Sequence, residues 1–183
     1  SDYMSSIKKK IVDTINASLS DPKPAFAKWT SVHVSGLVKN ARNPEILDDE
    51  LTLLQFAADD GKPLVTLFDF PCHPEVLWEH NPNITADYVG YLRDEVEKQT
   101  GAPCIFFSGA LGGMMTPDVK DHSFKEAEFM GRKLGEEGVK ALDAVNSEQC
   151  SVVGFQKKEI KAKLTNPLYK VAFLRKLIPD VRD

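Results

Sequence analysis

A histidine placed directly after a hydrophobic strand is the clearest chemical feature of this chain. In the stretch FDFPCHPEVL, residues 68–77, the apolar run stops at His73, which stands between a cysteine and a proline. Imidazole binds metal ions and transfers protons near neutral pH, and α/β enzymes place their chemistry where strands leave the sheet. A histidine here can also serve only to hydrogen-bond neighbouring backbone. His73 is therefore a candidate metal ligand or proton carrier, with a structural function as the alternative.

A second strand exit carries the glycine-rich segment SGALGGMMTP, residues 108–117. Gly109, Gly112 and Gly113 have no side chain to block a ligand, so backbone amides can converge on one of its atoms. Thr116 adds a hydroxyl before a proline. The segment lacks the GK[ST] ending of a Walker sequence. If both strands belong to one sheet, this segment and His73 meet at the same rim.

The other histidines and the cysteines add no complete site. His80 and His122 lie in polar loops, where exposure to solvent is expected. No HExxH or other close histidine pair supplies a zinc site. Cys72, Cys104 and Cys150 are widely spaced and odd in number, which favours buried free thiols over a disulfide framework. The residues alone thus indicate a site rim with an incomplete set of metal ligands.

Length and charge limit the classes of function. The chain has 183 residues and a formal net charge of −4, and 42% of its residues are hydrophobic. These values are typical of one globular domain with a substantial core. No basic stripe with interleaved aromatics is present, so nucleic acid is not an expected partner. No apolar run approaches the roughly 20 residues of a membrane span.

Hydrophobic periodicity predicts the first half of the fold. Tyr3, Ile7, Ile11, Ile15 and Leu19 recur every four residues and predict an amphipathic helix, which the DPKP of residues 21–24 ends. Residues 28–37 alternate as a strand, and His33 is expected on its polar side. Residues 51–57 and 63–70 flank the turn sequence DDGK and predict two neighbouring antiparallel strands.

The second half alternates helix and strand. A helix is predicted from about Asp87 to Gln99 with Thr85 or Asp87 as its cap, and a buried strand follows at residues 102–107. Ser123 and Glu126 form a capping-box pattern that opens a helix to about Val145, burying Ala127, Met130, Leu134 and Ala141. A strand over residues 151–164 and a helix over 166–178 complete the prediction. The fold class is therefore α/β: a mixed β-sheet flanked by helices, in a single domain or a truncated portion of a larger catalytic domain.

The order of these motifs resembles the amino-terminal catalytic domain of the neutral/alkaline ceramidase family. The resemblance rests on LLQFAADDGKPLVTLFDFPCHPEVL and NITADYVGYLRDEVEKQTGAPCIFFSGALGGMMTPD, with NARNPEILDDEL upstream. It runs from about residue 1 to about residue 145. It implies zinc-dependent hydrolysis of an amide bond in a lipid or other acylamide, which is ceramide in the characterised members. It also implies export to the periplasm or beyond the cell.

The resemblance also implies roles for individual residues. His73 matches a zinc ligand, and Thr116 matches the hydroxyl-bearing residue that assists at the reacting carbon. Arg42 matches an arginine that binds the substrate or the oxyanion. Gly112 and Gly113 are expected to bind substrate through their backbone. Asp87 is expected to support the site rather than to catalyse.

Two departures from the family pattern leave an alternative open. Met114 stands where the family carries an aspartate, and Thr116 stands where it carries serine or asparagine. The resemblance further implies that the other zinc ligands lie before residue 1 and beyond residue 183, so residues 1–183 are expected to be a partial catalytic domain, inactive on its own. The alternative is a non-catalytic domain that binds an anion or a sugar through the glycine-rich segment.

Overall fold

Four strands form the main sheet of the computed structural model, which describes residues 2–145, 154 and 156–161. They are β1 (Phe26–His33), β3 (Glu50–Ala57), β4 (Pro63–Phe70) and β5 (Cys104–Ser108), in the spatial order β1-β3-β4-β5. β3 pairs antiparallel with β1 and with β4, whereas β4 and β5 run parallel. The predicted mixed sheet and the predicted β3–β4 hairpin are confirmed.

Two helices cover one face of this sheet, α2 (Asp87–Thr100) and α3 (Phe124–Asp143). The core between them contains large side chains with almost no exposed surface: Leu51, Leu53, Phe68, Phe70, Tyr88, Leu92 and Leu134. The helices approach closely because α3 carries glycines at the contact. A Cβ added at Gly131 would lie 2.3 Å from the carbonyl oxygen of Tyr88.

The parallel pairing of β4 with β5 decides where the two chemical loops lie. Phe70 pairs with Ser108, so both strands end at the same edge of the sheet. Helix α2 makes the crossover between them, as parallel strands require. The loop that starts at Pro71 and the glycine-rich segment that starts at Gly109 therefore leave the sheet side by side.

A second, two-stranded sheet was not predicted. β2 (Val38–Asn40) pairs antiparallel with β6 (Met115–Pro117), which places Lys39 opposite Thr116 and Asn40 opposite Met115. Strands of three residues are too short to show an alternating pattern, so only the folded chain reveals the pairing.

The predicted helix ends are largely correct, but the N-cap of α2 is Ala86 rather than Thr85 or Asp87. Helix α1 spans Asp2–Leu19, although its apolar stripe is exposed rather than buried. Ser123 Oγ accepts the amide of Glu126 at the start of α3, but the Glu126 carboxylate accepts the amide of Lys120 instead of reaching back to Ser123. No described helix has the length and apolarity of a membrane span.

The chain divides into two compact units, residues 1–150 and 151–183. In the second unit, residues 154 and 156–161 are exposed and have no regular structure, so the strand predicted over 151–164 is wrong there. The physical reason is the run of charges at Lys157, Lys158 and Glu159, which offers no apolar face to pack. The predicted helix 166–178 and Cys150 lie outside the described residues.

Candidate functional site

His73 and the glycine-rich segment meet at the edge of the sheet. The amide of His73 donates a hydrogen bond to the carbonyl oxygen of Met115, at 3.1 Å. A second bond joins the two loops where they leave the sheet: the amide of Gly109 donates to the carbonyl oxygen of Phe70, also at 3.1 Å. His73 is half-buried, so its ring is not enclosed in the hydrocarbon core. The structure thus joins the two strand exits that the sequence analysis expected to meet.

Asp87 holds the segment that follows His73. Its Oδ1 accepts the amides of Val76, at 3.0 Å, and of Tyr88, at 2.7 Å, and its Oδ2 accepts the amide of Leu77 at 3.0 Å. The residue is only 6% exposed. A buried carboxylate that accepts three amides is a strong structural anchor. Both carboxylate oxygens of Asp87 are thereby engaged by the backbone of this loop and of α2.

Two further side chains hold the same loop by its carbonyl groups. The phenol of Tyr88 donates to the carbonyl oxygen of Cys72 at 2.9 Å, and burial raises the pKa of that phenol, so it stays protonated. His122 Nδ1 lies 2.7 Å from the carbonyl oxygen of Val76 and donates to it. Tyr88 was not predicted, although it stands directly after Asp87 in the sequence TADYVG. His122 is exposed, as predicted, but its hydrogen bond to this loop was not predicted.

Arg42 lies beside the glycine-rich segment because Asn40 folds the chain there. The side-chain oxygen of Asn40 accepts the amides of Arg42 and Asn43, both at 2.9 Å. The amide of Ala41 donates to the carbonyl oxygen of Met114 at 3.0 Å. Arg42 therefore directly follows Ala41, the residue that bonds to the segment. The side chain of Arg42 is exposed. Asn40, only 6% exposed, is a further structural residue that the sequence analysis did not single out.

The glycines of the segment serve different purposes. A Cβ at Gly109 would lie 2.9 Å from Asp69 Oδ1, and the Gly109 amide is already bonded, so this glycine is needed for packing. A Cβ at Gly112 would meet nothing within 4 Å, and Gly113 is nearly as open. Both are exposed. Gly112 and Gly113 thus leave room for a ligand, whereas Gly109 does not.

Backbone strain is concentrated around these loops. Among the described residues other than glycine, three have a positive φ: Trp78 at 50°, Asp87 at 53° and Met114 at 75°. Met114 is in the glycine-rich segment, Trp78 is within the loop that follows His73, and Asp87 is at the end of that loop. Such conformations cost energy and cluster at functional sites. They support the placement of a site at this edge of the sheet.

A metal centre is not complete within the described part of the chain. No group of three or more His, Cys, Asp and Glu side chains there is arranged to hold a metal ion. Catalytic zinc needs three protein ligands and an open position, so His73 alone does not suffice. The neighbouring Cys72 is buried, which raises the pKa of its thiol to about 12 and keeps it protonated at neutral pH. The described residues therefore do not fit a zinc ion by themselves.

Comparison with known proteins identifies a shared fold. No protein-family model and no curated protein matches the chain. The neutral ceramidase from Pseudomonas aeruginosa superposes with a TM-score of 0.60 and 19% identity, over 73% of this chain and 25% of that one. A ceramidase complexed with C2 gives a TM-score of 0.57 and 17% identity, over 67% and 23% of the two chains.

The resemblance that the sequence indicates is therefore confirmed at the level of the fold. The match extends over about a quarter of the length of the solved ceramidase chains. In its described part, this chain has the fold of a portion of bacterial neutral ceramidase.

Proposed function

We propose that this chain is part of an amide hydrolase resembling neutral ceramidase, acting on a lipid or another acylamide. The observation that carries the proposal is the hydrogen bond from the His73 amide to the carbonyl oxygen of Met115, on a fold shared with ceramidase. That bond holds the backbone of the half-buried His73 against the glycine-rich segment. The pair provides a metal-binding or proton-transferring group next to a surface that backbone amides can line.

Each predicted site residue has a task in this proposal. Thr116, half-buried on β6, offers its hydroxyl at the reacting carbon. Arg42, exposed beside the segment, binds the developing negative charge on the scissile carbonyl oxygen, because a guanidinium stabilises charge that forms in the transition state. Gly112 and Gly113 let the substrate approach the backbone. Asp87 fixes the loop that carries His73 and does not touch the substrate.

Among the described residues, His73 is the one that we propose as a zinc ligand. We propose that His73 supplies one ligand and that the remaining ligands come from outside the described residues. A bound zinc ion would polarise the carbonyl and lower the pKa of a water molecule. This chain's own contribution is to hold the backbone of the loop that carries His73, through Met115, Tyr88 and Asp87.

The test compares two histidine variants of the protein at its full natural length. The His73→Ala variant is expected to lose bound zinc. Its rate of N-acetylsphingosine hydrolysis should fall about 100-fold or more, because removing a metal ligand costs at least as much as removing a residue that orients one. His33→Ala removes an exposed histidine on β1 and is the matched control. Zinc content is measured by elemental analysis. Full zinc retention in His73→Ala would contradict the ligand role.

One observation favours a second candidate, a non-catalytic domain that binds an anion or a sugar. Met114 removes the carboxylate that the ceramidase pattern places in the segment, while the exposed Gly112 remains open to a ligand. The loss of a carboxylate at position 114 makes the backbone amides of the segment more suitable for an anionic group. Calorimetric titration with inorganic phosphate and with glucose 6-phosphate tests this candidate. Absence of heat with both ligands, together with amide hydrolysis, would remove it.

A further inference from the structure

Met114 occupies a backbone conformation that methionine disfavours. It follows the short 3-10 helix Leu111–Gly113 with φ 75° and ψ 41°, the left-handed region. Side chains with a Cβ are strained there, and glycine, asparagine and aspartate are the residues that tolerate it. The aspartate of the ceramidase pattern would suit this backbone better than the methionine found here.

The surrounding backbone enforces this conformation. The amide of Met114 donates to the carbonyl oxygen of Leu111 at 3.1 Å, and its own carbonyl oxygen accepts the amide of Ala41 at 3.0 Å. The next residue, Met115, is paired with Asn40 across the β2–β6 sheet and is only 3% exposed. Position 114 therefore cannot relax by moving the chain, and the methionine has to accept the strain.

The side chain of Met114 gains little from packing in return. It leaves 42% of its surface exposed, whereas the neighbouring Met115 is buried in the core. An apolar side chain that is both strained and exposed does not serve the stability of this fold. Its position is two residues from Thr116 and one residue from the carbonyl that holds the His73 amide. Strained residues at such sites commonly contact a ligand.

We propose that Met114 is a substrate-contacting residue that binds the hydrocarbon portion of the amide substrate beside the scissile bond. The proposal rests on the amide-hydrolase function proposed above. The thioether side chain is flexible and polarisable, so it adapts to apolar groups of different shape. This chain thus presents an apolar contact where an aspartate would present a charge, which favours substrates with a hydrocarbon chain near the amide.

The test uses the protein at its full natural length and two substitutions of the same residue. Met114→Asn suits the left-handed backbone, so we expect the melting temperature to rise by about 2 °C. The same variant loses the apolar contact, so its KM for N-octanoylsphingosine should rise about tenfold with kcat within about twofold. Met114→Leu keeps an apolar side chain and the strain, so both quantities should stay close to those of the unchanged protein.

Two controls separate the possible outcomes. Met4→Asn alters an exposed methionine on α1 and should leave KM unchanged. N-acetylsphingosine is compared with N-octanoylsphingosine, and octanoyl amides of a short-chain amine are compared with those of a long-chain amine. The two comparisons show whether Met114 contacts the acyl chain or the chain of the amine part. An unchanged KM in Met114→Asn would overturn this proposal while amide hydrolysis stands. A failure of the unchanged protein to hydrolyse any of these amides would overturn both proposals.

Discussion

The phenol of Tyr88 donates a hydrogen bond of 2.9 Å to the carbonyl oxygen of Cys72, the residue directly before His73. This bond fastens the first turn of α2 to the start of the loop that leaves β4. Tyr88 is completely buried, and its ring also meets Phe106 edge-on with 5.9 Å between ring centroids. The helix that crosses over between the parallel strands therefore also positions the candidate metal ligand.

Replacement of Tyr88 by phenylalanine should loosen this loop without repacking the core. The change leaves a buried carbonyl without its donor, so we expect the free energy of unfolding to fall by about 1 kcal/mol. Amide hydrogen exchange over residues 73–77 should quicken, while exchange in β3 and β4 stays slow. Tyr91→Phe is the matched control, since no described hydrogen bond uses the Tyr91 hydroxyl and this ring only packs on the core. Equal effects of the two changes would contradict the positioning role.

The Asp87→Asn change should separate the contribution of the carboxylate to stability from that of the backbone strain at this position. Asparagine tolerates φ 53° as aspartate does, but it offers one oxygen and no charge to the amides of Val76, Leu77 and Tyr88. We expect a loss of about 2 kcal/mol in the free energy of unfolding, measured by urea denaturation. Asp87→Ala should cost about 1 kcal/mol more, because alanine adds strain. A neutral Asp87→Asn would show that the loop does not depend on this anchor.

Two glycine-to-alanine changes should affect different properties, one of them substrate binding and the other stability. Gly112→Ala places a methyl group in open space, so stability should change by less than about 0.5 kcal/mol while KM for the amide substrate rises. Gly131→Ala drives a methyl group against the backbone of Tyr88 and Leu92 and should cost about 3 kcal/mol. Urea denaturation and steady-state kinetics measure the two effects. An unaltered KM in Gly112→Ala would argue against substrate binding by the segment.

The pair His33 and Asp49 should make stability depend on pH. The hydrogen bond with Asp49, 2.7 Å from His33 Nδ1, raises the histidine pKa above 6.5. Hydrogen bonds from Ser35 and then from His33 lower the pKa of Asp49 below 3.8. The histidine contributes stability that is full below pH 6.5 and is lost as pH rises through its folded pKa. The aspartate contributes stability that is full above pH 3.8 and is lost as pH falls through its folded pKa.

The check is the titration of His33 by nuclear magnetic resonance. Asp49→Asn should return the His33 pKa towards 6.5. Ser35→Ala should leave the His33 pKa raised, because the serine hydroxyl bonds to the other carboxylate oxygen of Asp49. A His33 pKa that is the same in the unchanged chain and in Asp49→Asn would show that the contact does not form in solution.

Local patterns were sufficient for the framework of this fold. Apolar runs and turn residues placed β3 and β4 correctly, and the cap at Ser123 located the start of α3. These features depend on neighbours within a few residues, which a sequence displays directly. The same reasoning failed at residues 156–161, where a run of charges leaves nothing to bury.

The sequence by itself determined that a histidine and an open glycine-rich segment each follow a strand, because strand exits and glycines are visible residue by residue. Only the tertiary structure decided that they meet, since the parallel pairing of β4 with β5 joins residues 38 positions apart. It also decided the three-residue pairing of β2 with β6, the anchors at Tyr88 and Asn40, and the strained backbone of Met114. These features arise from contacts between distant segments, and no local pattern encodes them.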